Sequence, residues 1–240
     1  MNDEVRREVE RRGITRLCHL TPLRNLVHIA TGDGLLSTAQ LSGSDRQVFN
    51  QQDLARLDGH PDHISCSIEF PNAWYMRQRR RAALGAERLF LDWVCVCIES
   101  HHLWRDDTLF CPRNAAAVGG RLVSGGIGAF RSLYAEEVEG AGGKTFARGA
   151  ERDPACPTDD QAEVLVYRRI PLDDVQQIVV SDESQAKRTF VGLEQLGVPV
   201  DRFSYVICPE FFQPHVLSGL LARGMRPAET DWDHGSLVDG

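Results

Sequence analysis

Thr158-Asp-Asp-Gln-Ala-Glu-Val-Leu-Val166 decides how this chain is read. It sets an amide and a carboxylate, Gln161 and Glu163, at the mouth of a β-prone run from Val164 to Ile170. Side chains two apart on a strand share a face. Gln161 and Glu163 are therefore expected to look into one pocket, on a strand whose other members are apolar. That is a way to hold a carboxylate against a substrate. A solvated charge at a strand end fits the same spacing, so the surrounding chain has to discriminate.

Downstream, the pattern predicts a strand over 163–170 ended by Pro171, a strand Gln177 to Val180, a helix Glu183 to Leu196 and a strand Phe203 to Cys208. Residues 213–240 read as a peripheral C-terminal segment. Upstream, 135–160 carry glycine, charge, Pro154 and Pro157 but few large apolar residues, and are expected to form a long flexible loop. A loop of that kind beside a candidate site suits substrate selection.

The first half divides as follows. Residues 1–13 are a charged, helix-prone arm ending at Gly13. Ile14 to Thr21 alternates as a strand ended by Pro22, and Leu23 to Ala30 has helical spacing. Leu35-Leu36-Ser37 leads out. The polar stretch 37–62 has a possible short helix over Gln47 to Leu57. Ile64 to Phe70 reads as a second strand, and a helix from about Asn72 carries Trp74, Tyr75 and an arginine run. Leu89 to Ile98 is almost continuously apolar and should be a buried central strand. Residues 110–128 read as loop-rich. Five or six strands with irregularly placed helices favour an α+β domain over 14–212 rather than a doubly wound sheet. No Gly-x-Gly-x-x-Gly opens a helix, and Gly119 to Gly126 lacks the Lys-Ser/Thr of a phosphate loop.

A chain of 240 residues that is 42% hydrophobic suits one domain of fair size with appendages. No apolar run nears the ~20 residues that span a bilayer, and the charged start has no secretory pattern. An odd number of cysteines, seven, points to reduced thiols in a cytoplasm. Cys95-x-Cys97 has no second pair, so no metal is expected. The net charge of -7 argues against a broad grip on nucleic acid. A local basic strip remains open: Arg77, Arg79, Arg80 and Arg81, which are equally suited to a solvated helix face.

Three further constellations bear on function. His19-x-Thr21 ends the first strand with both side chains on one side, fit either for a ribose hydroxyl or for a core histidine bonded to backbone. Ser65 and Ser67 on the second strand precede Phe70, Trp74 and Tyr75, which can cradle a flat ring or simply pack a strand–helix corner. Arg46 and Arg56 lie in a polar segment where a guanidinium fork suits a diphosphate. No Gly-x-Ser-x-Gly is present, and no cysteine is marked as a nucleophile. Asp159 and Asp160 beside Glu163 lack the further ligands of a hard-cation site.

Taken in order, these pieces resemble the DarT family of nucleic-acid ADP-ribosyltransferase toxins. The resemblance rests on Arg16-Leu-Cys-His19-Leu-Thr21-x-x-x-Asn25-Leu26, Gly34-Leu-Leu-Ser37, an arginine-bearing segment, Ser65-x-Ser67 running into an aromatic helix, and Asp160-Gln161-Ala-Glu163-Val-Leu-Val166 followed by Ile170-Pro-Leu172. It spans roughly residues 14–210. It implies two mostly antiparallel sheets forming a split cleft that grips NAD as a substrate. It makes Glu163 catalytic together with an arginine, Arg56 as the better match and Arg46 as the other. It places His19 and Asn25 at NAD, and makes the loop before Gln161 the one that recognises substrate. Thr21, Ser65, Ser67, Tyr75 and Gln161 join the expected NAD site.

The Ser65-Cys-Ser-Ile-Glu-Phe-Pro71 strand lacks the Pro-Phe-Tyr-Phe flavour of thymidine-modifying members, so guanine stands beside thymine as the expected base. The acceptor is expected to be single-stranded DNA, since a base inside a duplex is out of reach. An antitoxin that removes ADP-ribose is the implied partner of such a toxin or phage-defence enzyme. Transfer to RNA or protein, and a non-catalytic NAD-binding module, are the alternatives.

Overall fold

The computed structural model describes residues 1–32, 34–41, 58–82, 92–140, 143–233 and 235. Arg46, Arg56, the expected helix over 47–57 and the start of the 89–98 strand fall outside the described residues.

The apolar run in the middle of the chain becomes β4 (Trp93–Glu99), whose first six residues are buried. Its alternation explains the layers. Val94, Val96 and Ile98 join one core, while Trp93, Cys95 and Cys97 join a second on the other face. A strand covered on both faces has no reason to alternate polar with apolar. β1 (Arg16–Pro22) runs antiparallel to β4 along its whole length, from Arg16 opposite Glu99 to Pro22 opposite Trp93. Beyond β4 lie β11 (Val175–Val180), the parallel β12 (Ser204–Ile207) and the short β13 (Thr230–Asp231).

The other half of the sheet is β3 (His63–Ile68), β9 (Glu163–Tyr167), β5 (Leu109–Cys111) and β6 (Ser124–Gly125), all antiparallel. The halves meet between β1 and β3, where the ladder is carried by two pairs, Leu17 with Ile68 and Cys18 with Ser67. From there the strands part. β3 pairs with β9 through His63 to Cys66, whereas His19 to Pro22 pair with β4 alone. The expected α+β fold with a split antiparallel sheet is thus present, and the two halves join at one vertex.

Helices cover both faces. α1 (Asp3–Arg12) is capped by the Asn2 side chain, which accepts from the Val5 N–H, and by Gly13 at φ 67°. The N-terminal arm is docked, because Val5 and Val9 enter the larger core. α2 (Leu23–Thr31) follows β1 directly and buries Asn25, Leu26, Ile29 and Ala30. α3 (Ala73–Ala82) carries the arginine run. β2 (Gly34–Leu36) is not a mere exit: it pairs with β10 (Arg169–Pro171). Gly34 is required there, since a Cβ would meet the Ile170 carbonyl oxygen at 2.3 Å.

Several expectations need correction. The single strand over 163–170 is two, broken at Arg168, whose φ is 60°. The loop-rich 110–128 gives way to α4 (Gly126–Ser132), which buries Phe130. The stretch 135–160 is not simply flexible. It holds a hairpin, β7 (Glu137–Glu139) with β8 (Thr145–Ala147), and its end from Ala155 to Asp159 is buried. Arginines supply what strands do not: Arg148 donates to the carbonyls of Cys156 and Asp153, and Arg152 donates to the Pro157 carbonyl and to Asp160. Backbone groups satisfied by guanidinium forks need no regular ladder.

After α5 (Glu183–Gln195), the segment from 213 is tied to the body as well. α6 (Pro214–Leu221) buries Leu217 and Leu221, and Trp232 reaches the larger core. Glu229 takes a two-pronged bond from Arg16 at 2.5 and 2.7 Å. The same guanidinium donates to the Glu69 carbonyl.

Candidate active site

The parting of β1 from β3 opens a cleft of about 890 Å³, within the roughly 300–1,000 Å³ usual for small-molecule and cofactor sites. The end of β1, α2, β3, α3, the start of β4, residues 113–117 and the mouth of β9 line it. Its position follows from the register: it opens where the β1–β3 ladder ends, at the pair Cys18 and Ser67, and continues along His19 to Pro22 and Ser65.

Glu163 is the first residue of β9 and 9% exposed. The Ser65 hydroxyl donates to its Oε2 at 2.8 Å, and the Ala115 N–H donates to Oε1 at 3.4 Å. Both oxygens of the carboxylate are therefore held, one from the neighbouring strand β3 and one from the 3₁₀ turn Ala115–Val118 that follows β5. Gln161 also lines the cleft, but from the turn before β9 rather than from the strand itself. That turn is fixed by Asp159, which accepts from the Gln161 N–H at 2.8 Å. Burial pushes the Asp159 carboxyl upward. Asp160 faces Arg152 at 2.7 Å, so the two aspartates do not gather with Glu163 around a cation.

Across the cleft, His19 Nδ1 lies 2.9 Å from the Ser65 carbonyl. A carbonyl only accepts, so Nδ1 is the nitrogen that donates in this bond. Thr21 accepts from Asn25 Nδ2 at 3.0 Å, and the buried Asn25 Oδ1 has no partner. Tyr75 lines the cleft and meets Trp93 edge-on at 6.0 Å. Phe70 is not an alternative to it, because its ring is buried against Phe211. Ser67 is a cleft residue too.

Of the four arginines on α3, Arg77, Arg80 and Arg81 stand three and four residues apart and share a side, while Arg79 turns away from them. Arg79 lines the cleft and sits over the Tyr75 ring at 5.8 Å. Arg77 covers Trp74 at 5.4 Å and contacts His215. Arg81 is exposed.

Arg113 and Trp93 are buried cleft residues that the sequence does not mark. Arg113 is 7% exposed, donates from Nη1 to the Glu139 carbonyl at 2.7 Å, and has an Nε without a partner. Trp93 is 3% exposed and its indole N–H has no partner. Neither left a signal, because Arg113 stands in an aperiodic run and Trp93 opens an apolar strand. Cys95 and Cys97 were read as a lone pair, but Cys18 joins them, and the three sulfurs lie within 4.8 Å of one another deep in the second core.

The parted sheet thus sets a buried carboxylate opposite an anchored histidine, on a fold shared with solved ADP-ribosyltransferases. The chain belongs to the DarT family, described as ssDNA thymidine ADP-ribosyltransferase, whose sequence profile matches residues 18–212. The family makes it an NAD-dependent ADP-ribosyltransferase acting on single-stranded DNA. Among solved structures, Thermus sp. 2.9 DarT in complex with NAD+ aligns with a TM-score of 0.54 at 15% identity, covering 82% of this chain and 97% of that one. Thermus sp. 2.9 DarT in complex with ADP-ribosylated ssDNA aligns at 0.52 and 13%, covering 80% and 97%. Thermosipho africanus DarTG in complex with ADP-ribose aligns at 0.52 and 16% over 82% of this chain, which spans only 51% of that one. At these identities the likeness is one of fold. A search of curated proteins finds no match. No helix among the described residues is long and apolar enough to cross a membrane.

Proposed function

We propose that Glu163 is the catalytic carboxylate and that the acceptor is the thymine of a single-stranded DNA. The observation that carries this is the pair of hydrogen bonds that aim Glu163 into the cleft from Ser65 and Ala115. NAD lies with its nicotinamide ribose against His19 and Thr21, its ring beside Tyr75, and Asn25 Oδ1 accepting one of its N–H or O–H groups. The bond from C1′ to the nicotinamide nitrogen breaks, and the electron pair leaves with neutral nicotinamide. The positive charge left on the ribose is stabilised by the fixed Glu163 carboxylate, a preorganised electrostatic effect that is usually a large catalytic term. A thymine ring nitrogen then bonds to C1′, and its proton passes to Glu163 as general base. Arg113 and Arg79 supply positive charge for phosphate groups at the cleft wall, with Arg56 or Arg46 as the further arginine.

The thymine assignment follows the family description. The acceptor strand enters past the β7–β8 hairpin, which Arg113 ties to the cleft wall. A partner that removes ADP-ribose from DNA completes the system, as the DarTG pairing in the Thermosipho structure suggests.

The test is labelled NAD incubated separately with thymidine-containing DNA, thymidine-free DNA, RNA and protein. Label on thymidine-containing DNA alone, lost in Glu163→Gln, is the expected result. Label on guanine, RNA or protein overturns the acceptor, and an active Glu163→Gln variant overturns the mechanism.

A further inference from the structure

At the end of β4 remote from the cleft, the chain turns through a short 3₁₀ segment, Ser100–Trp104. Trp93, at the other end of the strand, lines the cleft. Seven residues at ~3.3 Å each set the two ends roughly 20 Å apart. The 3₁₀ turn points two consecutive histidines at the same acid. His102 Nε2 lies 2.9 Å from Asp174 Oδ2, and His101 Nε2 lies 3.5 Å from the same oxygen. The rings stack at 4.2 Å between centroids, with 30° between their planes. All three donor atoms fall within 4.8 Å of one another.

We propose that His101, His102 and Asp174 form a binding site for a divalent transition metal, zinc being the first candidate. Two imidazoles and one carboxylate suit zinc, cobalt, nickel or ferrous iron and not the hard cations, which want oxygen alone. Donor atoms about 2.1 Å from one metal stand roughly 3.0–3.4 Å apart, and the two distances to Asp174 straddle that range. His101 is 44% exposed at its side chain, so further coordination positions open to solvent.

Each ligand rests on backbone fixed from elsewhere, as a preformed site requires. The Thr108 hydroxyl donates to the His102 carbonyl at 2.6 Å, and the Asn2 N–H donates to the Trp104 carbonyl at 2.7 Å. Asp174 closes the short turn Leu172–Asp174, and Val175 after it pairs with Ile98. The register slips between Val175 and Gln177, the kind of irregularity that re-aims a side chain beside a site.

The second observation concerns the far nitrogen of the buried ring. His102 is 2% exposed, and its Nδ1 has no hydrogen-bond partner among the described residues. No outside group pins the tautomer. The proton can move to Nδ1 and leave the Nε2 lone pair for a metal, without breaking any bond except the one to Asp174, which the metal replaces. A metal here staples β4 to β11 at the end opposite the cleft, so its effect falls on stability and not on the transfer step.

The experiment strips the protein with a chelator and titrates Zn²⁺ and Co²⁺, reading stoichiometry by calorimetry, the visible absorption of bound Co²⁺, and Tm with and without metal. His101→Ala and Asp174→Asn are the variants; the first removes an exposed ring, and the second keeps an acceptor for His102. The expected result is one equivalent bound with a raised Tm, at least tenfold weaker in both variants, whose metal-free Tm stays near the parent's. Absence of binding overturns the proposal. So does binding that His101→Ala leaves intact, which would place the metal at another histidine.

Discussion

The His19 imidazole bonds to the Ser65 carbonyl at 2.9 Å, bridging two strands at the point where their ladder has ended. The same Ser65 gives its hydroxyl to Glu163. One serine thus ties both walls of the cleft, its backbone to the histidine and its side chain to the carboxylate. The geometry on which the proposed chemistry depends is concentrated in three residues from three strands.

Replacing Glu163 by Gln keeps the size and removes the charge. Turnover of single-stranded DNA should fall by about 10²–10⁴, the usual contribution of a general base, with the Tm close to the parent's. Ser65→Ala removes only the bond that orients the carboxylate. A hydrogen bond to a charged group is worth about 1.5–3 kcal/mol, so kcat should fall about 10- to 100-fold while the KM for NAD barely moves. Steady-state kinetics with a thymidine oligonucleotide decide this, and a Ser65→Ala variant altered only in KM would count against an orienting role.

His19→Ala should act in the opposite sense. Its loss removes a ribose contact of about 1 kcal/mol, so the KM for NAD should rise several-fold with a smaller change in kcat. Equilibrium binding of NAD measured without DNA separates this from an effect on the acceptor.

Arg113 is expected to sort NAD chemistry from DNA chemistry. Arg113→Lys keeps a charge but loses the fork that reaches both the Glu139 carbonyl and the cleft. Hydrolysis of NAD in the absence of DNA should survive better than transfer to DNA. Equal loss of both reactions would assign the residue to NAD alone.

Much of this fold was legible in the sequence because burial dictated it. The run up to Ile98, the helical spacing of 23–30 and the strand from 177 to 180 each follow from the core they fill. Gln161, Glu163, His19, Thr21, Ser65, Ser67 and Tyr75 stood out by their strand and helix positions and Asn25 by the family resemblance, and the structure gathers all eight at one cleft. The stretch 135–160 was not legible, because its order comes from Arg148 and Arg152 bonding to carbonyls, a pairing with no period. Arg113 was invisible for the same reason. The arginine run was legible only as charge, since charge density along a sequence says nothing about which of its residues reaches the cleft, and Arg79 is the one that does.

Asp182 caps α5, accepting from the Gln185 N–H at 2.8 Å. That bond, then the Ser181 hydroxyl, holds its carboxyl below the ordinary range. A depressed folded-state value means the stabilisation is present above the pKa of the unfolded carboxyl and is lost as pH falls through the lowered one. Asp182→Ala should therefore cost about 1 kcal/mol near neutrality and progressively less in acid. Chemical denaturation at neutral and acid pH, run on both proteins, measures this.

All seven cysteines are buried, and none of them forms a disulfide. Burial raises the thiols of Cys111, Cys156 and Cys208, to about 11, 12 and 12. Thiolate is the reactive form, and Cys97, whose thiol the bonds from Cys18 and Cys95 push down, is fully buried, so the native protein should resist maleimide labelling at neutral pH, and all seven should label after denaturation. Mass spectrometry counts the adducts. Rapid labelling of the native chain would show that the cores open readily.

The two-pair junction of β1 with β3 has an implication for anyone who selects variants of this enzyme for heat tolerance. The substrate site is a place where a sheet has been left unzipped, and unmade ladder bonds are a standing opportunity for a more stable fold. Substitutions that let His19 to Pro22 pair with β3 would survive such a selection and erase the cavity. Screens that reward robustness alone should therefore enrich sequences that fold better and modify no DNA.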